Sequence, residues 1–281
     1  MKDGKADVSV ILRSCGRPAW LARTLASIEA QTSVPLEVVV VAIGAPGQAA
    51  LDAVRTSLPL KVVPTSEGRE RGAALNDGVG AATEEWVAIL DDDDTWEPDF
   101  LEKMMAAGAR GRMDGRFGAV VCQTEAVYER AVDGAPRECG REPFNPGLAQ
   151  VTARDLFLAN RFTINAVLWH RRVFAKLGGF SETLPVLEDW EFNLRAAVEV
   201  FELTVLPQML ARYHQRPPSD RTPNTAAGLH DEEARRLQRA WLASGMMKVH
   251  GATWRLRLAA WWGAMMRRKS RLGARMGWRQ R

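Results

Sequence analysis

Apolar and polar positions along the chain follow two different periods, and the change from one to the other marks out the elements. Val8 to Leu12 is a short apolar run followed by the turn-like Ser14-Cys15-Gly16-Arg17-Pro18, the pattern of a buried strand and then a loop. Pro18 suits a first helical position, and Leu21, Leu25 and Ile28 recur at helical spacing until Pro35 stops the pattern. Glu37 to Ile43 is a second, β-branched strand closed by Gly44-Ala45-Pro46-Gly47, and Leu60 to Val63 is a third. After the Ala-rich stretch Arg69 to Ala82, Trp86 to Leu90 forms another buried strand, which runs straight into Asp91-Asp92-Asp93-Asp94. Helical patterns follow at Glu97 to Ala109, Ala153 to Leu158 and Glu188 to Val200, with strands at Gly118 to Gln123, Asn165 to His170 and Leu203 to Leu206. Gly134 to Leu148 and Arg216 to Gly228 are rich in Gly, Pro and charge and read as long mobile loops. Strands alternating with helices predict an α/β fold with a largely parallel sheet.

Composition narrows this picture. The 281 residues, 46% hydrophobic and 26% charged, form a globular chain able to bury one large core or two modest ones. Cys15, Cys122 and Cys139 are odd in number and lack metal-ligand spacing, so free thiols in a reducing cytosol are expected, with no disulfide framework or zinc site. The polar amino terminus and the absence of a long apolar run predict neither a signal peptide nor a spanning helix.

Charge is divided unevenly. All 34 acidic residues lie at or before Glu233 while 13 of the 38 Lys and Arg follow it, so 25 cations against 34 acids leave the body near −9 and the tail near +13. Within that tail Trp254, Leu258, Trp261, Met265, Leu272 and Met276 fall on one helical stripe flanked by Arg257, Arg268, Lys269 and Arg275. The pattern suits a helix lying on an anionic membrane surface, with tryptophan at the headgroups and arginine snorkelling to phosphates. A C-terminal helix packed on the body is the alternative. Nucleic acid is not expected, since no recognised binding motif occurs.

The candidate chemistry starts at the acidic run. Four successive aspartates after an apolar strand repel one another unless something positive compensates. They also stand at the carboxyl end of a strand, the edge where open α/β sheets collect ligands. Magnesium or manganese would compensate, taking one or two carboxylates and completing its shell with water and substrate phosphates. Asp91 and Asp93, or Asp93 alone with water, are the natural ligands. The alternative is an acidic loop in which Asp94 caps the next helix.

In order along the chain, Val8-Ser-Val-Ile-Leu, Arg17 and Ile28-Glu-Ala-Gln31-Thr32 are followed by Asn76-Asp77-Gly78 and by Trp86 to Asp94. Gly178-Gly179-Phe180-Ser181-Glu182 and Glu188-Asp189-Trp190-Glu191 with Arg195 complete the set. Taken together, from about Asp7 to His214, these resemble the family 2 glycosyltransferases, inverting enzymes of the GT-A nucleotide-diphospho-sugar transferase fold. The resemblance implies a Rossmann-like, mixed, mostly parallel sheet flanked by helices over residues 1–215. Residues 1–123 would hold the nucleotide-sugar and 124–215 the acceptor, followed by a linker at 216–234 and a basic amphipathic helical extension at 235–281.

It further implies donor and diphosphate contacts from Arg17, Asn76, Asp91, Asp92 and His214, an acceptor side with Glu188 and Trp190, and Mn2+ or Mg2+ on Asp91 and Asp93. Asp189 is the implied base: inversion needs a group that takes the acceptor hydroxyl proton as its oxygen attacks opposite the leaving group. Three positions depart from the family pattern. The acid that usually ends the second strand is missing from Val41-Ala42-Ile43-Gly44-Ala45, Leu75 stands where an arginine often precedes the asparagine, and Arg13 replaces a common proline. The expected function is inverting transfer from a nucleotide-sugar to a hydroxyl acceptor, in cell-surface glycan or glycolipid synthesis, by a cytoplasmic protein peripheral to the inner face of the membrane. A non-catalytic nucleotide-sugar-binding or assembly module is the alternative; a nucleotidyltransferase would want a Gly-rich loop after the first strand.

Overall fold

The computed structural model describes residues 5–111, 118–199, 202–217 and 230–244. The expected membrane-binding stripe from Trp254 to Met276 lies outside the described residues. The chain forms two units, Met1–His230 and Asp231–Arg281.

The first unit opens with β1 (Lys5–Ser14), α1 (Pro18–Glu29), β2 (Val34–Ile43), α2 (Gly44–Asp52), β3 (Leu60–Thr65), α3 (Arg71–Ala81) and β4 (Trp86–Asp91). These strands pair in parallel, β3 on β2, β2 on β1 and β1 on β4. After them come β5 (Thr95–Trp96), α4 (Phe100–Gly111), β6 (Ala119–Val132), β7 (Ala135–Pro143), α5 (Ala153–Leu158), a 3-10 turn (Ile164–Ala166), β8 (Val167–His170), α6 (Arg171–Leu177), α7 (Glu188–Val198) and β9 (Leu203–Gln215). The whole makes one mixed sheet in the order β3-β2-β1-β4-β8-β6-β9-β5, with β7 on β6. α8 (His230–Ser244) follows.

The apolar runs are continuous because the central strands are covered on both faces. Val8, Val10 and Leu12 share a core with Leu21, Leu25 and Ile28 of α1 and with Phe100, Leu101 and Met104 of α4. Burial of each such side chain stabilises by about 1.5–3 kcal/mol. On the other face α3 approaches so closely that a Cβ on Gly78 would stand 2.5 Å from Ile11 Cγ2 and 2.8 Å from Val41 Cγ2. That contact accounts for the glycine of Asn76-Asp77-Gly78.

The structure corrects several sequence expectations. Gly134 to Leu148 is largely a strand, β7, folded back on β6 through a turn in which Asp133 and Gly134 have φ of 52° and 78°. Asp-Gly with two positive φ values makes a two-residue hairpin turn, and the polar composition reflects an edge strand that is mostly exposed. Gly44-Ala45-Pro46-Gly47 closes β2 as expected and also opens α2, with Pro46 in the first turn, where a missing N–H breaks no helical hydrogen bond. β6 and β9 extend well beyond the predicted strands because they pair with each other over most of their length. β6 therefore runs through the expected boundary at residue 123, and α8 begins at His230, inside the expected linker.

Candidate active site

The strand β4 delivers the acidic run to the carboxyl edge of the sheet, where arginines from several elements enclose it. Arg13 is the register partner of Asp91 across β1 and β4 and donates to its Oδ1 from Nη2 at 2.8 Å. Arg71, at the start of α3, donates to Asp91 Oδ2 at 3.3 Å and to Glu188 Oε1 at 2.8 Å. Arg17 bonds Asp92 Oδ1 and, at 2.7 Å, Asp93 Oδ2; Arg216 also bonds Asp93 Oδ2. The Cys15 N–H donates to Asp92 Oδ2 at 2.8 Å. The positive compensation that the run requires is thus supplied by guanidinium groups of the chain itself.

Charge states follow from these partners. Burial, the largest influence on Asp91, pushes its carboxyl up, but Arg13 and Arg71 together outweigh it and bring it down to about 2. Asp92 is raised by burial, although Arg17 opposes the shift. Asp94, buried beside Asp93 and Asp91, is held well above the usual carboxylate range. Asp94 is tied into the fold: its Oδ1 accepts the His214 N–H at 2.9 Å and its carbonyl accepts Thr24 Oγ1 at 2.8 Å.

Glu129 of β6 gathers the next layer. It accepts from Trp20 Nε1 at 2.8 Å, Arg23 Nη1 at 2.6 Å and Arg216 Nη1 at 2.7 Å, and His214 Nδ1 lies 3.1 Å away. His214, expected at the metal or diphosphate, is buried with its other ring nitrogen 2.9 Å from Thr95 Oγ1, and burial lowers its pKa. A cavity of about 400 Å³ adjoins this layer, lined in part by Arg23, Thr95, Glu129, Arg212 and His214; Asp91, Asp93 and Asp189 do not line it.

The segment from Gly178 to Asp189, expected on the acceptor side, is shaped by backbone geometry. Gly178 ends α6 in the left-handed conformation at φ 76°, and Gly179 follows at φ 80°. A Cβ on Gly179 would stand 2.4 Å from Asn76 Oδ1, so Gly179 is required by space as well as by its φ, whereas Gly178 is favoured by its φ alone. Asn76 itself, expected at the donor, pairs with the backbone of Phe180, donating to its O at 3.0 Å and accepting from its N at 2.8 Å. Leu187 enters α7 at φ 67°, a conformation that leucine adopts at a cost of about 1–3 kcal/mol and that tends to occur at functional sites.

Directly after it come Glu188, buried against Arg71, and Asp189, whose Oδ2 accepts Asn160 Nδ2 at 3.0 Å. Burial first, and the neighbouring Glu188 charge second, push Asp189 up to about 6; Asn160, the Trp190 N–H and Arg71 pull the other way. Trp190 is buried and donates through Nε1 to the Leu156 carbonyl at 2.5 Å, fixing α7 to α5.

The structure thus brings Arg17, Asp91, Asp92 and Asp93 into one ionic cluster, and Arg71 links it to Glu188. Sequence reasoning missed Arg71, Arg216, Glu129 and Asn160. Leu75, where the family pattern favours arginine, is core at 1% exposure, and Arg71 one helical turn earlier reaches the site instead. Arg13 had a signal, since a charge at the end of a buried strand needs a partner; Glu129 had none.

For a divalent cation the donor set fits a one-carboxylate site. Arg13 and Arg71 occupy both oxygens of Asp91, whereas Arg17 and Arg216 converge on Oδ2 of Asp93 and not on its Oδ1. Among the described residues no three Asp, Glu, His or Cys converge as a metal cage. Magnesium and manganese accept such a site, with water and phosphate as the remaining ligands.

Comparison with known proteins agrees with the architecture. The uncharacterized glycosyltransferase YwdF of Bacillus subtilis is 27% identical over 192 residues, 68% of either chain. The succinoglycan biosynthesis protein ExoO of Rhizobium meliloti is 35% identical over 117 residues, 40% of this chain but only 34% of its own. Among solved structures, S. aureus TarS 1-349 in complex with UDP-GlcNAc superposes with a TM-score of 0.60 at 20% identity, covering 83% of this chain and 65% of that one. The mannosyltransferase PcManGT from Pyrobaculum calidifontis, in complex with GDP-Man and Mn2+, gives 0.56 at 19% identity over 96% of this chain and 81% of its own. Residues 9–164, more than half of the sequence, match the family described as glycosyl transferase family 2, and the chain belongs to that family.

Proposed function

We propose that the protein is an inverting glycosyltransferase moving a sugar from a nucleoside-diphosphate donor to a hydroxyl acceptor, with Asp189 as the general base. One observation carries the reading: Arg71 bonds both Asp91 and Glu188, so a single side chain spans the acidic run and the Glu188-Asp189 pair. A donor diphosphate at the run and an acceptor hydroxyl at Asp189 are then neighbours.

As the acceptor oxygen bonds to the anomeric carbon, its proton passes to Asp189. The bond from that carbon to the diphosphate oxygen breaks, and the diphosphate leaves with the electron pair. A carboxylate raised to about 6 is mostly ionised at neutral pH yet basic enough to hold the proton. Arg17 has a buried Nε without a partner among the described residues, a donor for a diphosphate oxygen. Mn2+ or Mg2+ held through Asp93 would add Lewis-acid stabilisation of the leaving group. The acceptor is taken to be a glycan or lipid-linked glycan at the inner face of the membrane, on the charge of the tail and on the similarity to ExoO, a succinoglycan biosynthesis protein.

The test is thermal stabilisation by UDP-, dTDP-, GDP- and ADP-sugars, each with and without Mn2+. One donor class should stabilise the protein by about 2.7 kcal/mol at a hundredfold excess over Kd, and Asp93→Asn should remove the metal-dependent part. No stabilisation by any donor would overturn the reading. Binding without product over a panel of glycan acceptors would favour the non-catalytic alternative.

A further inference from the structure

Asp189 is surrounded by groups that disfavour its charge. It is half-buried and desolvated, and Glu188 on the same helix adds a like charge. Against these stand the Trp190 N–H on α7, Arg71 from α3, and the Asn160 side chain just beyond α5. Arg71 is already bonded to Glu188 and Asp91, so Asn160 is the side chain that hydrogen-bonds the Asp189 carboxylate itself.

The surroundings of Asn160 orient its amide. Asn193, one helical turn after Asp189 on α7 and buried, places its Nδ2 3.5 Å from Asn160 Oδ1. The amide oxygen thus faces a donor and the amide nitrogen faces the carboxylate; the flipped amide would set oxygen against oxygen at Asp189. α5, which leads to Asn160, is fixed by a capping box: the Thr152 N–H donates to Asp155 Oδ2 at 3.0 Å and the Asp155 N–H to Thr152 Oγ1 at 3.2 Å. α5 is also tied to α7 through Trp190 and the Leu156 carbonyl.

We propose that Asn160 is the positioning residue of Asp189: its amide N–H holds Oδ2 and so orients the carboxylate that takes the acceptor proton, and Asn193 keeps the amide in that orientation. The inference rests on the reading of Asp189 as the base, and its test separates the two.

The Asp189 carboxyl is titrated by 13C NMR in the full chain, its signal assigned by loss in Asp189→Asn, and the pH profile of kcat/KM is measured beside it. In Asn160→Ala the carboxyl should titrate about one pH unit higher, since a hydrogen bond favouring the charged form is gone. The acid limb of the profile should move with it, and kcat should fall roughly tenfold or more with donor KM unchanged. Asn160→Asp decides between electrostatics and shape. It is isosteric, so a merely structural role makes it milder than Asn160→Ala; a second carboxylate facing the first makes it more severe. Asn193→Ala, which frees the amide to flip, should move the titration in the same direction by less, and it serves if Asn160 variants fail to fold.

An unmoved titration and limb in Asn160→Ala, or Asn160→Asp milder than Asn160→Ala, overturns the positioning role. If the carboxyl titration moves while Asp189→Asn keeps full turnover, the base reading fails and with it the catalytic meaning of the inference.

Discussion

Asp91 at the end of β4 and Asp189 in the first turn of α7 are both half-buried aspartates, and their surroundings drive them in opposite directions. Asp91 lies between Arg13 and Arg71 and falls to about 2; Asp189 lies beside Glu188 and is held by an amide and a backbone N–H, and rises to about 6. Desolvation is the leading influence on both. What separates them is whether a full positive charge is in hydrogen-bond contact. The first arrangement keeps a carboxylate permanently ionised, as a structural anion or a ligand requires. The second leaves it able to gain and lose a proton near neutral pH, as a base requires.

The largest effect expected from this contrast is on turnover. Asp189→Asn should lower kcat by roughly a hundredfold or more while donor affinity stays nearly constant, because the amide cannot take the proton. Glu188→Gln should instead shift the acid limb of the profile downward, since the charge that raises Asp189 is gone. Turnover kept in Asp189→Asn and lost in Glu188→Gln would move the base by one residue.

The next effect is on stability. Asp91→Asn should destabilise by about 3 kcal/mol in urea melts at pH 7, as Arg13 loses its carboxylate partner in a site where its side chain is 6% exposed. Arg71 keeps Glu188 and should suffer less. A change below about 1 kcal/mol would mean that the arginine enclosure does not hold the run together.

The contrast also explains what the sequence revealed. The strands β1, β2 and β4 were legible because both their faces are buried and their apolar runs are continuous. β7 was not, because an exposed edge strand carries the composition of a loop and only Asp133-Gly134 betrays the hairpin. The acidic run declared itself by charge density at a strand end. Its partners did not: Arg71, Arg216 and Glu129 come from a helix start, a strand end and a mid-strand position that meet only in the folded sheet. Asn160 is likewise an ordinary loop residue until α5 and α7 pack. Local patterns record periodicity and single charges; a partner across a hundred residues leaves no local trace.

The smallest effect is the most direct check on the comparison, because it asks for opposite signs from the same substitution. Asp189 titrates at about 6 in the fold against 3.8 for the ordinary carboxyl. A raised carboxyl contributes stability that is fully present below the unfolded pKa and lost as pH rises through the folded one, so the parent should weaken between about pH 4 and pH 6. Asp189→Asn has no proton to lose there. It should match the parent near pH 4 and exceed it at pH 8: the rise from 3.8 to about 6 is worth about 3 kcal/mol in full, and solvent screening of the half-buried carboxyl reduces the gain to about 1–2 kcal/mol. Asp91, lowered to about 2, contributes stability present above the unfolded pKa and lost as pH falls through the folded one, so the penalty of Asp91→Asn should shrink from pH 4 towards pH 2. Urea melts of both variants from pH 2 to pH 8 measure the two trends together. If Asp189→Asn is instead less stable than the parent at pH 8, the ionised carboxylate is better compensated than Asn160, Trp190 and Arg71 allow. Its elevated pKa, and with it the assignment of Asp189 as the proton acceptor rather than a second structural anion, would then fall.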